Sequence, residues 1–278
     1  MLFADRRHSR EGDLPVKIHK LADVHPKAKV ADDVVVGPFS LIGENVTIGG
    51  GTVIHNGVTI IGNTEIGKNN IVFPGTVLGS QPQDKKYEGE PTRLQIGDNN
   101  VIRECVTINL GTEKGARVTK IGNACLLMAC CHIAHDCTLG DSVTMANGVL
   151  LGGHVVVEDD VTFGGLAAVH HYVTLGKLSF VGGLTRVAQD VPPFMTVEGN
   201  PSKVWFPNKI GLERHGVSAE SIDALKQAHK ILFRKGGTRA EAVKEIKEKG
   251  LTTPEIEYLI EFLNRSANGR NRRMQEPA

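Results

Sequence analysis

The chain has 278 residues, 40% hydrophobic and 23% charged, with 32 basic against 31 acidic side chains for a formal charge of +1. That length is ample for a buried core, and the balanced charge excludes the electrostatic footprint of a dedicated nucleic-acid or anionic-membrane binder, so any anion site has to be a local cluster. Aromatic residues make up only 5% while glycines number 32, an unusual pairing for a sandwich or bundle core and a reason to look for repetition.

Residues 1–16 read as a charged N-terminal extension without the apolar stretch of a secretory leader. No later segment approaches the ~20 apolar residues of a membrane span, so a cytoplasmic protein without membrane insertion is expected. From Ile18 an aliphatic residue recurs every six positions through Val24, Val30, Val36, Ile42 and onward to Leu78, then at Ile96, Ile102 and Ile108, and again from Ile121 to Val187. Of these 26 positions, 24 are Ile, Val or Leu, which no helical period produces. The next residue is often Gly (Gly37, Gly43, Gly122, Gly140), and the fourth after the aliphatic is small or β-branched (Ala28, Thr52, Cys131, Val143). Short β segments turned every six residues describe a mainly β fold over 17–200, a left-handed parallel β-helix of hexapeptide repeats with three to a coil. Such a prism has a thin core, which accounts for the few aromatics.

Two segments, 79–95 and 113–120, replace the period with Pro, Gly and charge. They predict loops extruded from the coils, where a rigid solenoid carries binding residues.

Residues eighteen apart stack on one face at ~4.8 Å spacing. His135, Gly153, His171 and Gln189 each stand two places after an aliphatic anchor and form one outward column, with His154 and His170 beside it and His132 nearby. Five of the eleven histidines therefore crowd into about three coils. An imidazole with pKa near ~6.5 suits proton transfer at neutral pH, Asp136 can orient one, and Gly153 offers an unobstructed N–H to an oxyanion. A second outward column, Ala129, Asn147, Gly165 and Gly183, is small throughout and predicts a shallow channel, a subunit seam, or both in a threefold ring. Cys130, Cys131 and Cys137 beside His132 and His135 raise the question of zinc. However, Cys125, Cys131 and Cys137 share the inward fourth position and read as core fillers, so neither a metal nor a cysteine nucleophile is expected.

After Val191 the period ends, and residues 201–278 form a helical domain and tail. Ser218 caps a helix over about 219–235, Thr238 and Glu241 make a capping box before a second, and Thr253-Pro254 opens a third. Residues 270–278 read as a solvated tail. Arg214, Lys226, Lys230 and Arg234 suit either an acidic carrier protein or simple solubility.

The prism and helices, taken with QDKKYEGEPTR, HIAHDC, GGH, AVHH, the glycines at 182–183 and AQDVPP, resemble the cytoplasmic UDP-N-acetylglucosamine O-acyltransferases that open lipid A synthesis. The resemblance runs from about residue 17 to about residue 265, and HIAHDC with AQDVPP is more specific than the repeat. It implies a homotrimer that moves a 3-hydroxyacyl group from acyl carrier protein to the sugar 3-hydroxyl of UDP-N-acetylglucosamine, with no cofactor beyond the carrier-bound thioester. By position, His135 matches the general base, Asp136 its orienting partner and Gly153 the oxyanion donor. His132, His154 and His170 match substrate-contacting histidines, Asp84 and Lys86 sugar and phosphate contacts, Asn208 and Arg214 nucleotide-side residues, and Gly183 the position that limits acyl length. Three residues depart from the family pattern: His171 where Gln is typical, Ile210 where an acidic residue is common, and His215 where a second arginine is common. The alternatives are a transferase acting on a 3-amino sugar nucleotide, a zinc prism of the carbonic-anhydrase kind, and a non-catalytic scaffold.

Overall fold

A computed structural model describes residues 17–276; the extension expected over 1–16 lies outside them. Every third short strand pairs in parallel, so the chain winds into three walls of nine, eight and ten strands. Register follows the repeat: Ile133 pairs with Leu151 and Leu151 with Val169 in the nine-stranded wall, Leu139 with Val157 in the eight-stranded wall, and Met145 with Phe163 in the ten-stranded wall. The result is the left-handed parallel β-helix that the period predicts.

From Val36 to Val187 every aliphatic anchor is at most 5% exposed, while Ile18 at the open end is 43% exposed because no coil lies beneath it. The corners between walls are tight enough to force left-handed backbone on ordinary residues, with φ of 64° at Cys130, 59° at Asp136, 57° at Ser142 and 61° at His154. Each such residue costs on the order of 1–2 kcal/mol in isolation, offset here by ladder hydrogen bonds on both neighbouring coils. Cys125, Cys131 and Cys137 point inward, and burial pushes the first two thiols up to about 11 and the third to about 12. They are inert fillers, as their place in the repeat implies.

The first excursion is shorter than the sequence suggests, and the second keeps its length but lies three residues earlier. Strands Val77–Ser80, Arg93–Ile96 and Val118–Ile121 continue the walls, leaving loops over 81–92 and 110–117. The first is shortened by Leu94, fully buried two residues before the anchor Ile96, so that inward alternation begins one step earlier than the six-residue count shows.

The last parallel strand, Met195–Glu198, turns antiparallel into Lys203–Pro207 and leads to α1 (Lys209–Arg214), α2 (Ala219–Phe233), α3 (Arg239–Glu248) and α4 (Pro254–Asn268). The sequence predicts the last three. The Ser218 side chain accepts the Ser221 N–H at 3.1 Å, and the Thr238–Glu241 capping box is complete. α1 has too few residues to display a period. Leu225, Ala228, Ile246, Leu259 and Leu263 pack together and onto Phe194 and Met195 at the end of the prism. No helix among the described residues is long and apolar enough to cross a membrane.

The tail corrects an expectation. Residues 270–276 are not a free tail: Arg273 is buried and the segment lies along the final coil, with Arg270, Asn271, Arg272 and Gln275 still exposed. Arg273 donates to the Ala188 carbonyl at 3.1 Å, the Asp190 N–H donates to the Arg272 carbonyl at 3.0 Å, and the Met274 N–H donates to Asp190 Oδ2 at 2.8 Å. A polar composition reads as solvated, yet the last coil has no coil stacked above it. Its unpaired backbone groups take the tail instead.

Candidate active site

The nine-stranded wall carries His132–Ile133, Leu150–Leu151 and Ala168–Val169 in adjacent strands, and the corner that follows stacks His135–Asp136, Gly153–His154 and His171–Tyr172. The left-handed backbone at Asp136, His154 and Tyr172 turns these side chains along the outside of the corner.

His135 Nδ1 lies 2.8 Å from Asp136 Oδ2. Facing a carboxylate, that nitrogen carries the proton, and the Nε2 lone pair is left free. Asp136, its side chain fully buried, also accepts the Thr112 N–H at 3.0 Å and 3.1 Å and the Thr112 hydroxyl at 2.6 Å. Burial pushes the Asp136 carboxyl up, but the hydrogen bonds from His135 and Thr112 outweigh it and hold the group below its ordinary value. Asp136 is therefore an ionised anchor. The His135 ring lies over Gly153, where an added Cβ would come 2.7 Å from Nε2. Among the described residues, no backbone carbonyl takes up the Gly153 N–H.

His154 meets His135 edge-on at 5.0 Å, stacks on Tyr172 at 4.4 Å, and has Nδ1 3.9 Å from Asp136 Oδ2. His132 shares a hydrogen bond with Thr107 Oγ1 at 2.8 Å, and His170 lies against His171 at 3.8 Å. Burial lowers the pKa of His132, His154 and His171, which are thus neutral at neutral pH. In the 81–92 loop, Asp84 Oδ1 accepts the Lys86 N–H at 3.0 Å, and its charge reaches His154 and Tyr172. Glu90 accepts the Glu113 N–H at 3.2 Å and so ties the two loops together.

His132, His135, Asp136, Gly153, His154, His170 and His171 thus share one corner, with Asp84 and Lys86 on the loop beside it. Gly183, Asn208 and Arg214 do not join them. Gly183 stacks on Gly165 at the corner after the ten-stranded wall, and Asn208 and Arg214 line a 530 Å³ pocket with Phe180, Phe206 and Ile210 on that wall. The nine-stranded wall lies between the two halves. The Asn208 amide is committed to the fold: Oδ1 accepts the Gly211 N–H at 3.1 Å, and Nδ2 donates to the Leu178 carbonyl at 3.0 Å. Of the departures from the family pattern, Ile210 is 64% exposed in this pocket, and His215 pairs with Asp160 at 3.2 Å.

Sequence reasoning missed three contributors. Tyr172 stands eighteen after His154, and extending the column by one place finds it. Thr112 and Thr107 lie 24 and 25 residues before Asp136 and His132, because the 110–117 loop breaks the eighteen-residue count.

His135, Asp136 and His154 also present ligand atoms within 4.8 Å of one another. The donor set does not suit a cation. Asp136 Oδ2 already receives protons from His135 and Thr112, and a metal there would displace both.

Among known proteins, the family described as UDP-N-acetylglucosamine O-acyltransferase, domain 2, matches residues 190–271, and the bacterial transferase hexapeptide family matches 119–153. The acyl-[acyl-carrier-protein]–UDP-N-acetylglucosamine O-acyltransferase of Paracidovorax citrulli is 54% identical over 91% of this chain and 98% of its own. The protein of the same name from Thiobacillus denitrificans is 45% identical over the same shares, 91% and 98%. The crystal structure of the Moraxella catarrhalis UDP-N-acetylglucosamine O-acyltransferase superposes with a TM-score of 0.84 at 40% identity, covering 88% of this chain and 95% of that one.

Proposed function

The chain belongs to the acyl-[acyl-carrier-protein]–UDP-N-acetylglucosamine O-acyltransferase family, and from that premise we propose that it moves a 3-hydroxyacyl group from acyl carrier protein to the 3-hydroxyl of UDP-N-acetylglucosamine, the first step of lipid A synthesis. The observation that carries the reading is the His135–Asp136 pair, with Nε2 free above Gly153. Nε2 takes the proton of the sugar hydroxyl as its oxygen attacks the thioester carbonyl. The Gly153 N–H receives the developing oxyanion. Collapse of the tetrahedral intermediate breaks the C–S bond, and the departing sulfur takes the proton back from the His135 imidazolium. Asp136 stays ionised throughout and stabilises that imidazolium.

The neutral His132, His154 and His171 line the acceptor together with His170, Asp84 and Lys86 contact sugar and phosphate, and Asn208 and Arg214 serve the nucleotide. No cofactor or metal takes part in this sequence of steps.

We infer a homotrimer, because one chain holds the two halves of the site on opposite edges of a wall. The Gly183 corner is also apolar and exposed: Leu21, Phe39, Leu166 and Leu184 are 50%, 71%, 62% and 75% exposed along it. Such a stripe calls for a partner, and threefold closure lays it against the histidine corner of the next subunit. A carrier-protein donor and a nucleotide-sugar acceptor fit a cytoplasmic site of action.

The test is mass spectrometry of products formed from UDP-N-acetylglucosamine and 3-hydroxyacyl carrier proteins of graded chain length. A 3-O-acyl product supports the reading. No product with any donor overturns it, and acylation of only the 3-amino analogue moves it to that acceptor.

A further inference from the structure

Where the helical domain meets the last coil there is a cavity of about 350 Å³, lined by Lys203, Arg234, Arg239, Arg272, Ser266 and Asp190 among others. Its charges do not balance. Arg234 donates to the Trp205 carbonyl at 2.9 Å and Arg239 to the Leu263 carbonyl. Among the described residues, none of the four cations has a carboxylate partner, although ion pairs are common elsewhere on α1 to α4 (Lys209–Glu213, Lys235–Glu245). The single acid, Asp190, is occupied by the N–H groups of Thr174 at 2.7 Å and Met274 at 2.8 Å. Arg239 is half-buried, and that burial, followed by the nearby charge of Arg272, lowers the pKa of its guanidinium.

In a chain of formal charge +1, four cations without a carboxylate partner around one cavity are a local concentration of positive charge. We propose that this cavity is a binding site for a phosphate group. Guanidinium forks match phosphate oxygens in pairs, Lys203 adds a point charge, and the cavity leaves room for an organic group attached to the phosphate. The phosphate is either free in solution or the phosphodiester of a carrier protein's prosthetic arm. Arg272 comes from the tail, past residue 271 where the family match ends. That tail holds Ala188 and Asp190, which stand one coil above His170 and Tyr172 through the pairing of Val187 with Val169. An occupied site therefore clamps the tail over the histidine corner.

The experiment is calorimetric titration of the full chain with inorganic phosphate at constant ionic strength, with chloride as control. One saturable site per chain is expected, weakened about ten-fold or more in Arg239→Gln/Arg272→Gln and unchanged in Lys226→Gln, which lies outside the cavity. If thermal melts show the double variant to be unfolded, Arg272→Gln alone, an exposed tail side chain, supplies the comparison. Phosphate that competes with the acyl donor, together with a raised donor KM in the variant, assigns the site to the prosthetic arm. Phosphate that binds without touching donor KM assigns it to the free ion. No saturable binding, or equal binding by wild type and variant, overturns the proposal. Because titration needs no turnover, its outcome is independent of the proposed reaction.

Discussion

The His135 imidazole lies across Gly153 so closely that a Cβ at residue 153 would stand 2.6 Å from its Cε1. Glycine at this place therefore does two things: it makes room for the imidazole, and it leaves its own backbone N–H uncovered. Gly153→Ala displaces the ring and covers the N–H, and kcat is expected to fall by about 10²–10³-fold, the usual effect of losing one oxyanion donor. Steady-state kinetics beside a thermal melt check this. Full activity in a folded variant would remove Gly153 from the mechanism.

His135→Ala removes the base while leaving its supports. Turnover should drop by about 10²–10⁴-fold, with the elution volume and the melting temperature of the wild type retained, because the ring is on the outside of the corner and not in the prism core. Size-exclusion chromatography and product assays together distinguish lost chemistry from lost fold.

Thr112 is a positioning residue, acting through Asp136. Thr112→Val removes the hydroxyl bond that helps keep the carboxyl below its ordinary value, so the Asp136 pKa should rise. A depressed carboxyl contributes stability above its unfolded pKa, and that stability is lost as pH falls through the folded value. Wild type should therefore keep this contribution into acid, and the variant should lose part of it at higher pH. Urea unfolding across pH 3 to 7 reads the stability, and the acid limb of the kcat profile should move upward with it.

Asp190 has the opposite sign. Burial pushes its carboxyl up from 3.8 to about 6. Between those values the folded chain holds a proton that the unfolded chain has released, so stability falls as pH rises through that window and is flat above it, by at most about 3 kcal/mol. Asp190→Asn should abolish this slope, which pH-dependent urea unfolding measures directly.

Gly183 stands open at the small column. Gly183→Met should shift product chain length toward shorter acyl groups in a donor panel, without changing turnover of the shortest donor. An unaltered length profile would place the acyl chain elsewhere.

The sequence alone determined the prism. A six-residue period is visible because every inward position must be aliphatic to fill a core one side chain thick, and the eighteen-residue sum then places His135, Gly153 and His171 in one column. The caps at Ser218 and Thr238 were equally legible, being local hydrogen bonds between near neighbours. Tertiary structure decided what depends on contacts across irregular insertions. Thr112 reaches Asp136 over a loop that breaks the count, Leu94 lengthens a strand into a segment read as loop, and the 270–276 tail finds the uncovered last coil although its composition reads as solvated. It also showed that His135 and Gly183 occupy different corners. Periodicity reports which way a side chain faces, but only the closed prism shows which outward faces are neighbours and which are divided by a wall.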